Sequence, residues 1–397
     1  MPYVEGQTVH DADSHIMELP GTILEFLPEA HHAAFRARAN KTAEMTRWAE
    51  EVVAKQDDPA FRADDAEQLL LRKNHTALGA FRREDRVRAL DLFGFASQLV
   101  FTTDALGNYG LEREIGDARD LALALEAARA HNRMVADFCA SDRRLLATGY
   151  VPIVDFEAAP GIAREAVELG CAGLVVNSAP PATHSPSHVG LDPLWAFAEE
   201  AGVPILFHVG GETKMDAAYV ENGLPRVKDF HGGDENFTGL TFMAIPLAVW
   251  QTMSALIFDG VLDRFPKLRF GAIELGASWV PSWLHFMDSG FDAFRRGEER
   301  LQKLSARPSE IARRQFRVTP YPHEPSGWIM ANGAEEMLMF SSDFPHVEGG
   351  RNPIKRFEEH LGGASAAARR RFYRDNFVDL MGPALPPDLR DHPSVAA

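Results

Sequence analysis

Eight short apolar β-runs alternate with helical patterns along almost the whole chain, and this alternation confines it to a parallel sheet. The runs are Thr8 to Ala12, Ser97 to Thr102, Leu145 to Ile153, Ala172 to Asn177, Pro204 to Val209, Leu268 to Glu274, Gln315 to Thr319 and Met337 to Ser341. Helices are expected over Asp117 to Cys139, Pro160 to Leu169, Pro193 to Ala201, Leu240 to Phe258, Ser278 to Leu304 and Pro353 to Leu361. The first of these shows the periodicity best, with Leu121, Leu125, Ala128, Met134 and Phe138 near helical spacing. Eight strand–helix units predict a closed (β/α)8 TIM barrel, an α/β fold, with a helical N-terminal insertion. Residues 1–381 are expected to form one barrel, interrupted by insertions at 20–85 and 210–239, and 382–397 to form a tail rich in Pro and polar residues.

In a parallel barrel every strand C-terminus opens on one face, and catalysis is carried there. Four runs lead directly to residues able to do chemistry: His15, His208, Glu274 and Asp343. Imidazoles with carboxylates are the ligand set of a hydrolytic Zn, Mn or Fe site. Asp13 and His15 are two apart on one strand end, so both can reach one ion. Asp13 is equally suited to capping the following turn. Glu18 lies beyond that strand, where it can orient a ligand or stand in solvent. His208 closes an apolar strand. Glu274 ends Phe270-Gly271-Ala272-Ile273, where an unpaired carboxylate is costly. A metal or a buried Arg would balance it. Asp343 at the last strand can bind metal and accept a proton from metal-activated water. The expected cofactor is therefore one or two divalent ions, Zn, Mn or Fe.

Auxiliary candidates surround these. His231, in the loop after His208, can donate a proton to substrate or simply face solvent. His346 can orient Asp343 or pack in its turn. Arg226 and Arg351 can hold a substrate carboxylate or form surface ion pairs. His75, His131, His184, His188 and His285 read as surface or packing histidines. Neither Gly210-Gly211 nor Gly232-Gly233 is followed by the Lys-Ser/Thr of a phosphate loop, and no Gly-x-Ser-x-Gly elbow is present.

Composition narrows the partners. The 397 residues are 45% hydrophobic and 25% charged, normal for a globular chain. A net charge of −16 opposes nucleic acid and anionic membranes. The N-terminus lacks a basic segment followed by an apolar one, so no signal peptide is expected. No apolar stretch reads as long enough to span a membrane. Cys139 and Cys171 each lie among apolar residues, which suits buried thiols in a cytoplasmic protein. The expected partner is a small-molecule substrate, and a homodimer is the expected assembly.

At these residues the chain resembles the amidohydrolase-related family, in the branch holding aminocarboxymuconate semialdehyde decarboxylase and resorcylate-type decarboxylases. The matching segments are Asp11-Ala12-Asp13-Ser14-His15-Ile16-Met17-Glu18, Asp192-Pro193-Leu194-Trp195, Phe207-His208, Phe258-Asp259-Gly260-Val261-Leu262-Asp263-Arg264-Phe265-Pro266, and Ser341-Ser342-Asp343-Phe344-Pro345-His346-Val347-Glu348-Gly349. The resemblance implies a barrel with a divalent ion. It carries the first-strand ligands to Asp13 and His15, the fifth-strand histidine to His208 and the eighth-strand aspartate to Asp343. Decarboxylases of this family usually carry His at the sixth strand end, where this chain has Glu274, and their first-strand pair is His-x-His. A metal-dependent hydrolase of a small amide, ester or thioester is therefore the expected activity. Non-oxidative decarboxylation of an aromatic or unsaturated acid is the alternative, and a non-catalytic binding barrel the third reading.

Overall fold

The computed structural model describes residues 2–38, 42–103, 105, 118–210, 215–228 and 238–391. Seven strands pair in sequence order, every neighbour parallel: β1 (His10–Ile16), β2 (Ser97–Thr102), β3 (Leu145–Tyr150), β4 (Gly173–Val175), β5 (Ile205–His208), β6 (Phe270–Ile273) and β7 (Phe316–Val318). The eighth run is not a regular strand, yet it closes the barrel. Val318 N–H donates to Met337 O and Met339 N–H to Val318 O on one side. Ala12 N–H donates to Phe340 O, Asp343 N–H to Asp13 O, and His15 N–H to Phe344 O on the other. The expected TIM barrel is thus formed, with residues 337–344 as an irregular eighth stave.

Strand bounds moved in an instructive way. The first strand is expected over Thr8 to Ala12, with Asp13 and His15 at its end. It continues to Ile16, all seven residues buried, with its register shifting between Asp11 and Ser14. The central strands are shorter than expected, β4, β5 and β6 losing residues at both ends. Two expected helices are broken. The segment expected as Leu240 to Phe258 splits into Gly239–Phe242 and Leu247–Phe258, Pro246 lying between them. Ser278 to Leu304 splits into Val280–Phe294 and Glu299–Gln302. Contrary to expectation, Gly239–Phe258 is long and apolar enough to cross a membrane by composition. Its second helix lies on the barrel, burying Val249, Met253, Leu256 and Ile257.

The barrel interior is plugged from the end opposite the catalytic face. Ala12, Leu99, Phe101, Leu146, Leu206, Ile273 and Met339 pack with Phe377, Leu380, Met381, Leu385 and Leu389 from the C-terminal segment. The ring of His10 stacks on Phe377 at 4.9 Å and 8°. The described part of the expected tail, 382–391, is therefore docked through Leu385 and Leu389. The described residues of 20–85 include the helices His32–Arg38, Thr42–Asp57 and Pro59–Arg62, as the helical insertion predicts. Their end is tied to the barrel mouth: Asn74 N–H donates to Pro345 O at 2.8 Å, and Gln56 donates to His75 O.

Two stability predictions follow from this packing. Phe377→Ala empties the plug and is expected to cost about 3–5 kcal/mol, read by urea unfolding; a loss below about 1 kcal/mol would show that the plug is dispensable. Buried His131, with Nε2 3.0 Å from Thr102 Oγ1 and Nδ1 2.9 Å from Asn132 Oδ1, has its pKa pushed down to about 4 by burial. The unfolded chain binds a proton near pH 6.5 that the folded chain refuses, so this residue's contribution is intact above that pH and is lost as pH falls toward 4. The melting temperature of His131→Gln should therefore fall less steeply than that of the native protein between pH 6.5 and 4; parallel slopes would contradict the assignment.

Candidate metal centre

The four strand-end residues meet. Asp13 and His15 come from β1, His208 ends β5, Glu274 follows β6, and Asp343 lies on the eighth stave. His15 Nε2 is 3.2 Å from Asp13 Oδ1, 3.6 Å from Glu274 Oε2 and 3.6 Å from Asp343 Oδ1. His208 Nε2 is 3.5 Å from Asp13 Oδ1 and 3.4 Å from Glu274 Oε2. The ligand atoms form two overlapping groups, each within 4.8 Å: Asp13, His15, His208 and Glu274, and His15, Glu274, Asp343 and His346.

Hydrogen bonds decide which ring atoms face inward. His15 Nδ1 lies 3.2 Å from Thr102 O, and His208 Nδ1 lies 2.9 Å from Val209 O. A carbonyl only accepts, so each Nδ1 carries the proton. In the neutral ring each Nε2 then turns a lone pair to the centre, the arrangement of a metal-bound histidine. Both Nε2 atoms and both Asp13 oxygens are buried without a hydrogen-bond partner. The approach of 3.2 Å between Asp13 and His15 brings the atoms close without hydrogen-bond geometry. Buried polar atoms left in this state are costly, and a cation among them satisfies all four. Nitrogen and carboxylate donors in this mixture fit a divalent ion.

Electrostatics point the same way. Burial raises the Glu274 carboxyl, and the charges of Asp343 and Asp13 push it further, well above the carboxylate range. Asp343 is also raised by burial, partly offset by His346. For Asp13 burial is outweighed by His15 and His208, which hold its pKa down. Burial lowers the pKa of both histidines, but Asp13 and the neighbouring acids reverse it to a net rise. Three carboxylates thus crowd one buried space. Glu274 and Asp343 are moreover held at φ 55° and 51°, left-handed backbone that side-chain-bearing residues rarely adopt.

The supporting groups include several that sequence reading missed. Glu274 N–H donates to Thr319 Oγ1, and Tyr321 Oη–H donates to Glu274 O at 2.7 Å. The Glu324 carboxylate accepts from the backbone of Ala277, Ser278 and Tyr321, fixing the loop after β6. Fully buried Arg86 donates to His15 O and lies 5.1 Å from the Phe344 ring centre, across the closing seam. Gly349 lets the last loop fold onto the stave, since a Cβ there would meet Ser342 O at 2.0 Å. Glu18 does not reach the cluster's centre. Its carboxylate accepts from Thr103 N–H, and Thr103 bonds to His346.

His346 adjoins Asp343, its Nδ1 2.9 Å from Asp343 Oδ1 and its Nε2 3.0 Å from Thr103 Oγ1. The Thr103 hydroxyl gives its hydrogen to Ile16 O at 2.9 Å, so it accepts from His346 Nε2–H. One further proton must then sit between His346 Nδ1 and Asp343. The pair holds a shared proton beside the centre. Arg351 is exposed in the loop after Asp343, and Arg226 is exposed in the described segment 215–228; neither is in the cluster. His231 lies outside the described residues.

The amidohydrolase family model matches residues 73–378, most of the chain. The chain belongs to the amidohydrolase family. Among solved structures it is similar to an amidohydrolase of Mycobacterium avium subsp. paratuberculosis K-10, at 21% identity and a TM-score of 0.70, covering 96% of this chain and 100% of that one. It is also similar to 5-carboxyvanillate decarboxylase of Novosphingobium aromaticivorans DSM 12444, complexed with manganese and 4-hydroxy-3-methoxy-5-nitrobenzoic acid, at 19% identity and TM-score 0.63, covering 95% and 96%. A third is 2,6-dihydroxybenzoate decarboxylase from Rhizobium, at 18% and 0.57, covering 95% and 99%. No functionally curated protein matches the chain. Solved structures that share this fold include decarboxylases with bound manganese.

Metal analysis of purified protein should find at least one divalent first-row ion per chain, with His208→Ala losing most of it. Glu274→Gln keeps size and removes charge, so it should weaken metal affinity by tenfold or more. Full metal content in His208→Ala would remove that residue from the centre, and unchanged affinity in Glu274→Gln would assign the acid a purely structural part.

Proposed function

We propose that the protein is a metal-dependent hydrolase of a small organic carbonyl compound, an amide, ester or thioester. The observation that carries this reading is the acid-rich donor set. Asp13, Glu274 and Asp343 bring three carboxylates to two inward Nε2 atoms. With neutral imidazoles and the proton shared by Asp343 and His346, the three carboxylates cancel the charge of one divalent ion. A substrate carboxylate placed at that ion gains no net attraction, and a neutral carbonyl needs none. When bound, the ion supplies Lewis acidity and makes water acidic enough to react near neutral pH.

Asp13, His15, His208 and Glu274 hold the ion in this reading, with Asp343 at its edge. Asp343 accepts the proton released by the attacking water on its second oxygen, while the proton it already shares with His346 through the bond of 2.9 Å holds the carboxylate in place. Thr103, clamped by Glu18, keeps the His346 ring in place for that bond. His231 remains a proposed proton donor to the leaving group, and Arg226 a proposed substrate contact. The buried free thiols Cys139 and Cys171 support a reducing, cytoplasmic setting.

Decarboxylation is the second reading. It is favoured by similarity to manganese-bound 5-carboxyvanillate and dihydroxybenzoic acid decarboxylases, which show that this fold supports that chemistry. The two readings part on products. Metal-loaded protein should release alcohol, thiol or amine from neutral esters, thioesters or amides, and no carbon dioxide from hydroxybenzoates; carbon dioxide release without hydrolysis would reverse the order. Asp343→Asn should lower turnover at least about a hundredfold and remove the acidic limb of the pH–rate profile. Near-native turnover with the limb intact would sink the proton role.

A further inference from the structure

The segment that ends the N-terminal insertion brings a cation to the mouth of the centre. Lys73 Nζ donates to Gly350 O, the residue before Arg351. The next residue, Asn74, is bonded through its N–H to Pro345 O, two residues past Asp343. Asn74 is held at φ 50°. The non-glycine residues with positive φ among those described are Asn74, Glu274 and Asp343, so all three strained positions surround one mouth. Strain of this kind persists only where surrounding structure enforces it, and here it aims the Lys73 segment.

Most other arginines near acids in this acidic chain are spent on ion pairs: Arg62, Arg72, Arg88, Arg144, Arg300, Arg307 and their acids are examples. Lys73 is only part-exposed and forms no ion pair among the described residues; its bond is to a neutral carbonyl. Burial brings its pKa down to about 8, with Asp343 and Glu348 acting to raise it and Arg351 to lower it. Arg351, exposed, likewise forms no ion pair among the described residues. In a chain of net charge −16, two neighbouring cations thus stand beside the acidic cluster with no direct ion pair among the described residues, Asp343 and Glu348 acting on Lys73 only at longer range. An anionic group bound between them would pair with both.

We propose that Lys73 and Arg351 form an anion subsite at the barrel mouth, which holds a carboxylate of the substrate remote from the reacting carbonyl. This rests on the metal-hydrolase reading only for the identity of the reacting group. The substrate class becomes a small acid carrying a second, neutral acyl group: a half-amide, half-ester or half-thioester of a dicarboxylic acid, or an acyl amino acid.

The test uses equilibrium binding to metal-loaded protein, so that it does not depend on turnover. The probes are non-hydrolysable oxo acids, from 4-oxopentanoate to 7-oxooctanoate, each paired with the neutral methyl ketone of equal chain length, followed by calorimetry. At least one oxo acid should bind tenfold or more tightly than its ketone partner. Lys73→Met and Arg351→Met should each remove most of that advantage and leave ketone binding and metal content unchanged. Arg351 is exposed, so its variant keeps the test valid if Lys73→Met fails to fold. Equal binding of the paired probes, absence of binding, or an advantage that survives in Arg351→Met and in any folded Lys73→Met would overturn the subsite. Failure of the hydrolase reading shows instead as absent ester and amide turnover with the carboxylate advantage intact.

Discussion

Crowding of Asp13, Glu274 and Asp343 around two inward imidazole nitrogens is the interaction on which the rest of the molecule turns. Left alone, such a cluster is unfavourable: burial and mutual repulsion push Glu274 and Asp343 up, and four buried polar atoms find no partner. A barrel that tolerates this must be held together elsewhere. The tail plug of Phe377, Leu380, Met381, Leu385 and Leu389 provides apolar burial at the far end. Arg86, bonded to His15 O and adjacent to Phe344, ties the seam between the first strand and the last stave. Strained backbone at Glu274 and Asp343 is the local cost of aiming two acids at one point.

Much of this was legible in the chain itself. Alternating runs predict the barrel, and β2 and the helix Pro353–Leu361 fall where expected. The meeting of Asp13, His15, His208, Glu274 and Asp343 follows from one topological fact, that parallel strand ends share a face. What was not legible depends on tertiary partners. The first strand's extent to Ile16 and its register shift between Asp11 and Ser14 depend on its pairing with β2 and the last stave. The eighth run is apolar, but its irregular path follows from the need to pair with β7 and β1 while turning Asp343 inward. Pro246 breaks a helix whose apolar pattern runs straight through it.

Thr103 and Lys73 illustrate a second limit. A threonine after a strand carries no ionisable group, so nothing in the chain marks it as the partner of both Glu18 and His346. Lys73 lies in a charged helical insertion among many similar residues. Only the hydrogen bonds of Asn74 and Lys73 to the loop after Asp343 distinguish it. The insertion is therefore bonded to the loop that follows Asp343.

The central claim is that this cluster is a divalent metal centre, and thermal unfolding of chelator-stripped protein tests it most directly. An ion that binds the folded chain and not the unfolded one raises stability with its concentration, by about 2.7 kcal/mol at a hundredfold excess over Kd. Titration with Mn2+ or Zn2+ should raise the melting temperature by several degrees and saturate, and the rise should vanish in a variant lacking both His15 and His208. A melting temperature indifferent to added metal, or a rise of equal size in that variant, would contradict the account.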